Sequence, residues 1–292
     1  MADMTAEEAL AEYGPSEITA DDLLTVPDEA FTAENVALVT GAGNGIGRAT
    51  ALALAHNGLT VVATDVDEEG LEEVASKHES LDSPGRLRTA PGDLTDDEEM
   101  ASVVERAAEE GSLRYLANIA GIQHIASLEA FPMDRYDLMH RIMLRAPLYL
   151  SKRCFPHFRD NADGVGAVGN MCSVHGHYVT QDKVAYNTLK FGLRGLTQSI
   201  AAEGEGTVRG FSVSTGYVKT ELVAKQLPDT ADSRGITVAE AVEDVLLGQA
   251  RVKEMMEPYE VANLFVMGFS EHARFLDGGD VLHDGGMTLT YE

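Results

Sequence analysis

A glycine-rich turn between an apolar run and a helix-like stretch is the feature that most limits how this chain can fold. Residues 36–40 are apolar and β-branched, and they lead directly into Gly41-Ala42-Gly43-Asn44-Gly45-Ile46-Gly47. Alanines at 49, 51, 53 and 55 follow in the next stretch. Glycines allow a tight turn with close strand–helix packing, and the free N–H groups of a helix start attract a pyrophosphate. The pattern predicts a dinucleotide-binding unit, with an ordinary strand-to-helix turn as the alternative.

Short apolar runs alternate with longer amphipathic stretches along the rest of the chain. The runs lie at 36–40, 60–64 and 115–119, and helix-like stretches lie at 45–57, 67–79 and 95–110. This alternation is typical of a doubly wound α/β fold around a parallel sheet. No repeat or linker divides it, so we expect one Rossmann-type domain over residues 34–292. Residues 1–33 lack a sustained hydrophobic period and are predicted to be an acidic N-terminal extension that mainly solvates the protein.

The charge balance excludes whole classes of partner. The chain has 48 acidic and 22 basic residues, a net charge of −26, which would repel nucleic-acid phosphates and anionic lipids. Two cysteines, Cys154 and Cys172, provide no disulfide framework. No apolar run has the length of a membrane span, and the acidic N-terminus does not resemble a signal peptide. We therefore expect a cytoplasmic protein without nucleic-acid or membrane partners.

Asp65 is the candidate residue for cofactor choice. It follows the second apolar run, 24 residues after Gly41, where a carboxylate can accept the hydroxyls of an adenine ribose and repel a 2′-phosphate. No Lys or Arg stands beside it, so the sequence favours NAD over NADP. The alternative is a solvated acidic loop, because Asp67, Glu68 and Glu69 follow.

A hydroxyl, a phenol and an ammonium group form the candidate catalytic set. Tyr186 and Lys190 are four residues apart, so on a helix they share one face. A nearby ammonium, assisted by the positive nicotinamide ring, favours phenolate and lowers the pKa of the tyrosine, which would make it a general base. Alone, this spacing more often marks a solvated helix face. Ser173, thirteen residues before Tyr186 and after an apolar run, supports the catalytic interpretation.

Two other chemistries are less well supported around Ser173. A hydrolase elbow needs glycine two residues to either side of the serine, and Met171 and His175 stand there instead. The pair His175 and His177 has a possible metal spacing, but no third ligand follows at a suitable distance. We predict neither a serine nucleophile nor a metal site.

Taken together, these motifs resemble the short-chain dehydrogenase/reductase family over residues 34–292. The resemblance rests on the glycine-rich turn, on Asn118-Ile119-Ala120-Gly121, on Ser173 with Tyr186 and Lys190, and on Thr215-Gly216-Tyr217-Val218-Lys219-Thr220. It implies a seven-stranded parallel sheet with helices on both faces, and a homotetramer. It also implies cofactor contacts from Gly41, Asn44, Gly45, Ile46, Gly47, Asp65, Asp93, Leu94, Asn118, Ala120, Gly121, Tyr186, Lys190, Gly216, Val218 and Thr220.

Within that family the chain is most similar to the members that oxidise D-3-hydroxybutyrate. The similarity lies in Gly121-Ile122-Gln123-His124, Ser173-Val174-His175-Gly176 and Val223-Ala224-Lys225-Gln226. It implies that Gln123, His175, Lys183 and Gln226, with Tyr186, bind a small carboxylate substrate. One cation with several neutral donors, and His175 as a second cation if protonated, suits a carboxylate.

The reaction implied is reversible NAD-dependent oxidation of (R)-3-hydroxybutanoate to acetoacetate, with Ser173, Tyr186 and Lys190 as catalytic residues. Two alternatives stay open. One is a dehydrogenase or reductase for another small hydroxy or oxo compound, and the other is an NAD-binding regulator with low turnover.

Met143 is the departure from the family pattern that motivates the regulator alternative. The family usually has asparagine there, supporting a water chain that leads from the active-site lysine to solvent, and methionine has no donor for it. Three consequences are possible: a distorted helix frees a backbone carbonyl, His140 or Ser151 restores the relay, or proton release limits turnover. Further departures are Ile119, Phe211, Thr215 and Tyr217.

The low lysine content and the high acidity predict a halophilic protein. Only seven of the 22 basic residues are lysine, and concentrated salt would screen repulsion among the surface carboxylates. We expect molar salt to raise the thermal unfolding midpoint, measured by circular dichroism. Equal stability and full activity after dialysis into dilute buffer would remove the hypothesis.

Overall fold

A seven-stranded parallel sheet runs through the computed structural model, which describes residues 4–288. Its strands are β1 (Asn35–Thr40), β2 (Thr60–Thr64), β3 (Arg86–Thr89), β4 (Ser112–Asn118), β5 (Gly166–Met171), β6 (Val208–Thr215) and β7 (Asp280–His283). Their order is β3-β2-β1-β4-β5-β6-β7, and every neighbouring pair is parallel. The predicted doubly wound α/β fold is confirmed.

Helices cover both faces of the sheet. They are α1 (Ala6–Tyr13), α2 (Gly45–His56), α3 (Glu68–Ser80), α4 (Asp97–Glu109), α5 (Met133–His140), α6 (Ala146–Asp160), α7 (Val184–Gly204), α8 (Glu221–Arg234), α9 (Val238–Glu240) and α10 (Pro258–Phe269). Because side chains alternate along a strand, Ala37 and Val39 pack with α2 and α10, and Val36 and Leu38 pack with α4 and α6. The buried strands are therefore apolar on both faces.

The strand order determines where a site can form. Successive connections run outward from β1 to β2 and β3, and then back across to β4 on its other side. The carboxyl ends of β1 and β4 thus border a crevice, the usual ligand position in open parallel sheets. Asp65 and Ser173 follow β2 and β5 at the same edge of the sheet.

The N-terminal extension packs into the core, so the expectation that it mainly solvates the protein is wrong. Leu23, Val26 and Phe31 are buried in the same cluster as α2 and α10. Ser16 donates from its backbone N–H and its hydroxyl to the two carboxylate oxygens of Glu257, each at 2.9 Å. These apolar side chains are irregularly spaced among acidic residues, so no hydrophobic period indicated that they are buried. The division at residue 33 stays a prediction.

Helix α1 extends this packing to the side of the molecule that carries α8. Thr5 and Glu8 form a capping box at its start. Ala9 is fully buried in a cluster that includes Leu227 and Ala231 of α8. The extension thus packs against a helix that borders the crevice.

Phe31 offers a test of this packing. Its ring meets Tyr115 edge-on with centroids 6.0 Å apart, and Phe31→Ala should cost about 3 kcal/mol of unfolding free energy because it opens a cavity. Leu24→Ala is the matched control, since that side chain is 38% exposed and its loss should cost under about 1 kcal/mol. Equal urea midpoints for Phe31→Ala and the wild type would show that the extension is not part of the core.

Candidate active site

A cleft of about 390 Å³ opens at the carboxyl ends of the central strands. Most of the predicted site residues line it: Gly41, Asn44, Gly45, Ile46, Gly47, Asp65, Asp93, Leu94, Ala120, Gly121, Gln123, Ser173, His175, Lys183, Tyr186, Lys190, Gly216, Val218 and Thr220. Asn118 and Gln226 do not line it. Asn118 is buried, and its amide donates to Asn170 at 2.9 Å. Gln226 is half-buried on α8, beyond the lining residues Leu222 and Val223.

Gly41 and Gly47 of the glycine-rich turn have no room for a side chain. Gly41 has φ +68°, and a Cβ there would lie 2.7 Å from the Ala120 Cα. A Cβ on Gly47 would lie 1.9 Å from the Gly41 carbonyl oxygen, and Gly45 has φ +51°. The glycines thus bring β1, α2 and the turn after β4 together, and the start of α2 faces the cleft. This cradle fits the pyrophosphate of a dinucleotide.

Asp65 is fixed beside this turn by two backbone groups. Its Oδ2 accepts the N–H of Gly43 at 2.9 Å, and its Oδ1 accepts the N–H of Asp67 at 3.1 Å. Each carboxylate oxygen keeps a further lone pair. The carboxylate therefore stays able to accept ribose hydroxyls while being held in one orientation.

Thr40 and Asn170 hold the turn after β4. The hydroxyl of Thr40 accepts the N–H groups of Ile119 and Ala120 at 2.9 and 3.2 Å. Behind this turn, the Asn170 amide donates to the Thr197 hydroxyl at 2.9 Å while its oxygen accepts from Asn118. Asn118 thus belongs to a buried chain of hydrogen bonds behind the turn, and its predicted cofactor contact stays a prediction.

Two neighbouring elements bring the catalytic candidates together. Ser173 caps a short 3₁₀ turn after β5, with its Oγ accepting the backbone N–H of His175 at 3.2 Å. Tyr186 and Lys190 lie one turn apart on α7, with the Lys190 Nζ 5.4 Å from the Tyr186 ring centroid. The Lys190 Nζ also donates to the carbonyl of Met171 at 2.6 Å.

Burial and hydrogen bonding act in opposite directions on the pKa of Tyr186. Burial raises the pKa of the phenol to about 12, while the Ser173 hydroxyl acts in the opposite direction. Burial also lowers the pKa of Lys190. Without a cofactor, removal from water is the largest effect on the Tyr186 pKa. The expected lowering, which included the charge of the nicotinamide ring, stays a prediction.

Lys183 is a half-buried cation that faces the cleft. Its ammonium lies 5.6 Å from the ring centroid of Tyr217, and burial lowers its pKa. No carboxylate of residues 4–288 lies within ion-pair distance of it. An isolated bridge from Ala126 to Lys183, together with a 2.9 Å hydrogen bond from Ala126 to the carbonyl of Asp182, fixes this stretch against the loop carrying Gln123. The cleft therefore presents an uncompensated positive charge.

Both ring nitrogens of His175 contact protein hydroxyls. Nδ1 lies 3.3 Å from the Ser173 Oγ, and Nε2 lies 3.0 Å from the Oγ1 of Thr180. Burial, followed by the charges of Lys183 and Lys190, lowers the pKa of His175 to about 3. The open alternative of a charged His175 is wrong for the protein alone, so Lys183 is left as the cation suited to a carboxylate. Sequence reasoning missed Thr180, which carries no motif.

Met143 is buried, and the helix around it is distorted. Residues Arg141–Arg145 form a π-helical turn between α5 and α6, a rare insertion often found at functional sites. The Ser151 hydroxyl donates to the Pro147 carbonyl at 2.6 Å, and His140 lines a separate surface cavity. The structure thus contains a distorted helix at Met143, while the carbonyl that the distortion was expected to free for the relay stays a prediction.

Phe211, another departure from the family pattern, lies in the core. Its ring contacts those of Phe265 and Phe269, with centroids 6.0 and 5.1 Å away, and it is fully buried. Phe211 therefore does not line the cleft, whereas Ile119 and Thr215 do.

Several lining residues were missed by the sequence analysis. They are apolar and include Val66, Ile122, Met171, Leu222 and Val223. Val66 and Met171 lie at the carboxyl ends of strands, so position after a parallel strand could have found them. Leu222 and Val223 enter from α8, and no local pattern distinguishes them from ordinary helix residues.

The part of the chain that the structure describes has neither a metal-binding cluster nor a membrane-spanning helix. Residues 4–288 contain no group of three or more His, Cys, Asp or Glu side chains placed to hold a metal ion. The same residues include no helix long and apolar enough to cross a membrane. His177 instead pairs with Asp280 at 2.8 Å. The homotetramer stays a prediction.

Two curated relatives cover most of the chain. D-beta-hydroxybutyrate dehydrogenase of Rhizobium meliloti (strain 1021) is 32% identical over 259 residues, which is 86% of this chain and 98% of that protein. Cyclohexanol dehydrogenase of Acinetobacter sp. (strain SE19) is 31% identical over 256 residues, 87% of this chain and 94% of that one. Relatives at similar identity are thus named for different substrates.

A solved structure and a family model agree with the fold. A putative NAD(P) dependent gluconate 5-dehydrogenase from Beutenbergia cavernae, with bound NADP at low occupancy, superposes with a TM-score of 0.78 at 27% identity. The match covers 89% of this chain and all of that one. The family model described as short chain dehydrogenase matches residues 35–231. The glycine-rich turn, the Ser173, Tyr186 and Lys190 set and these matches lead to one conclusion: the chain belongs to the short-chain dehydrogenase family.

Proposed function

We propose that this enzyme oxidises (R)-3-hydroxybutanoate to acetoacetate, reversibly, with NAD as the oxidant. The observation that carries the proposal is Lys183, a half-buried ammonium that faces the catalytic cleft with no carboxylate partner among the described residues. A buried cation is costly unless an anion compensates it, and a substrate carboxylate beside Lys183 would do so. Gln123 lines the same cleft and adds a neutral donor.

The catalytic residues have distinct tasks in this proposal. Tyr186 takes the proton of the substrate hydroxyl, and Ser173 donates a hydrogen bond to the same oxygen as it becomes a carbonyl. Lys190 supplies positive charge behind Tyr186. NAD, when bound, supplies the nicotinamide ring that accepts the hydride from C3. Its positive charge would also help to lower the pKa of Tyr186, which the protein alone holds near 12.

The choice of NAD rests on Asp65. Its carboxylate is held by Gly43 and Asp67 at the position where an adenine ribose would lie beside the glycine cradle. A 2′-phosphate there would meet a fixed negative charge. The NADP found with the gluconate dehydrogenase neighbour makes this preference worth testing directly.

Wild-type turnover is the primary test of the proposed reaction. We expect NADH formation, followed by absorbance, to be faster with (R)-3-hydroxybutanoate than with its S enantiomer or with cyclohexanol. A preference for cyclohexanol would favour the alternative of a neutral substrate. Full NAD binding without turnover of any short hydroxy acid would favour the regulator alternative that Met143 motivates.

Lys183→Met removes the charge while keeping much of the side-chain volume. We expect kcat/KM for (R)-3-hydroxybutanoate to fall about thirtyfold or more, roughly 2 kcal/mol, chiefly through KM. Lys225→Met is the matched control, because Lys225 is exposed on α8 and paired with Glu221. A loss of the same size with a neutral secondary alcohol would contradict the role given to Lys183.

Asp65→Asn keeps an acceptor for Gly43 while removing the negative charge. We expect the ratio of kcat/KM for NAD over NADP to fall at least about tenfold, since repulsion of the 2′-phosphate is relieved. Glu68→Ala, which removes an exposed acid at the start of α3, should leave the ratio unchanged. A wild type that uses both cofactors equally would show that Asp65 does not select NAD.

A further inference from the structure

Glu257 connects three separate parts of the chain through one buried carboxylate. Its Oε1 accepts the Ser16 hydroxyl at 2.9 Å and the Lys219 Nζ at 2.7 Å, and its Oε2 accepts the backbone N–H of Ser16 at 2.9 Å. Glu257 is also the N-cap of α10, where its backbone N–H donates to the Glu260 side chain at 2.7 Å. The N-terminal extension, the stretch before α8 and the start of α10 therefore meet at a single side chain.

The surroundings of Glu257 favour its ionised form. The residue is 7% exposed, and a buried carboxylate is costly unless it is paired and hydrogen-bonded. Burial opposes ionisation, yet the hydrogen bonds from Lys219 and Ser16 outweigh it and lower the pKa of Glu257. The carboxylate is therefore charged at neutral pH and compensates the ammonium of Lys219.

Lys219 belongs to a stretch, residues 217–220, that forms one wall of the cleft. Its neighbours Val218 and Thr220 line the cleft, while the Lys219 side chain extends to Glu257. Thr220 lies next to the glycine-rich turn, because a Cβ on Gly45 would be 3.4 Å from the Thr220 Cγ2. The position of the stretch 217–220 therefore affects the space at the cofactor cradle.

A short backbone bridge holds this stretch beside the start of α10. The N–H of Lys219 donates to the Met256 carbonyl at 2.8 Å, and the N–H of Met256 donates to the Tyr217 carbonyl at 3.0 Å. These bonds form an isolated bridge between Val218 and Met256, outside the seven-stranded sheet. The ion pair between Lys219 and Glu257 adds a side-chain tie between the same two segments.

The N-terminal extension reaches the same wall a second time through apolar contacts. Ala9 of α1 is buried in a cluster with Leu227 of α8, and Tyr217 and Val223 pack against that cluster. Both Tyr217 and Val223 line the cleft. The extension precedes residues 35–231, the range that the family model matches. This support for the cleft wall therefore comes from a part of the chain that the family model does not cover.

We propose that Glu257 is a positioning residue for the cofactor, and that the N-terminal extension completes its surroundings through Ser16. Glu257 holds Lys219, and with it the stretch 217–220, beside the cofactor cradle, while Ser16 fixes the orientation of the carboxylate. The inference rests on the proposed function only in taking NAD as the cofactor. It gives the extension a part in cofactor binding.

Glu257→Gln keeps the size of the side chain while removing its charge. We expect the dissociation constant of NADH, followed by its fluorescence, to rise about tenfold, and KM for NAD to rise with it while kcat changes less than about twofold. Glu17→Gln is the matched control, because exposed Glu17 follows Ser16 and ties the extension to Lys77 of α3 instead. A lower unfolding midpoint with unchanged NADH affinity in Glu257→Gln would assign Glu257 to stability alone and overturn the proposal.

Ser16→Ala is a milder variant that tests the role of the extension. It removes the hydroxyl and keeps the backbone N–H, so we expect the NADH dissociation constant to rise about threefold and Ser16→Thr to restore it. In Lys219→Met, the further change Ser16→Ala should have no effect, because both side chains act through Glu257. Independent effects of the two substitutions in the double variant would overturn the proposal.

Parallel titrations with NADPH separate this proposal from the choice of cofactor. They need no substrate, so a substrate other than a hydroxy acid would not alter them. A wild type that binds NADPH more tightly than NADH would contradict the role of Asp65, yet weaker NADPH binding by Glu257→Gln would still support a positioning role for Glu257. Unchanged affinity of Glu257→Gln for both dinucleotides would overturn that role.

Discussion

The close approach of the turns after β1 and β4 is the constraint on which the rest of the site depends. Gly41 and Ala120 are so close that a Cβ on the glycine would lie 2.7 Å from the Ala120 Cα. The Thr40 hydroxyl ties the two turns together by accepting two N–H groups of the second turn. This contact lies where the strand order reverses, so it opens the crevice that β2, β5 and β6 then line. Asp65 and Ser173 reach one cleft because their strands end at the same edge of the sheet.

Two lysines, Lys183 and Lys190, line the catalytic end of the cleft in a protein whose net charge is −26. Lys183 and Lys190 are withdrawn from water there, and burial lowers the pKa of both. Low-dielectric walls strengthen the field of such charges. Burial, with a smaller contribution from the charges of these two lysines, lowers the pKa of His175, and the same charges are the basis for the anionic substrate proposed above.

Much of the fold was predictable because it depends on local patterns. Apolar runs and glycines located β1, β2, α2 and the cofactor cradle, since a buried parallel strand and a strand-to-helix turn each have a distinct composition. The packing of Phe31 was not predictable, because its neighbours in space are far away in the sequence.

The chemistry of the site was less predictable than its location. The Tyr186–Lys190 spacing indicated that both side chains share one helix face, yet it could not show that burial raises the pKa of Tyr186 in the protein without cofactor, because burial has no local sequence signal. The contact between Thr180 and His175, and the absence of Gln226 from the cleft, likewise depend on how loops and α8 fold back.

In the proposed function, Lys183 makes this cleft specific for a carboxylate beside the reacting carbon. The most direct measurement is the affinity of the enzyme–NADH complex for acetoacetate and for pentan-2-one, a neutral ketone of similar size, followed by NADH fluorescence. We expect acetoacetate to bind at least about tenfold more tightly than pentan-2-one, a difference of about 1.4 kcal/mol. Equal dissociation constants for the two ketones would contradict it.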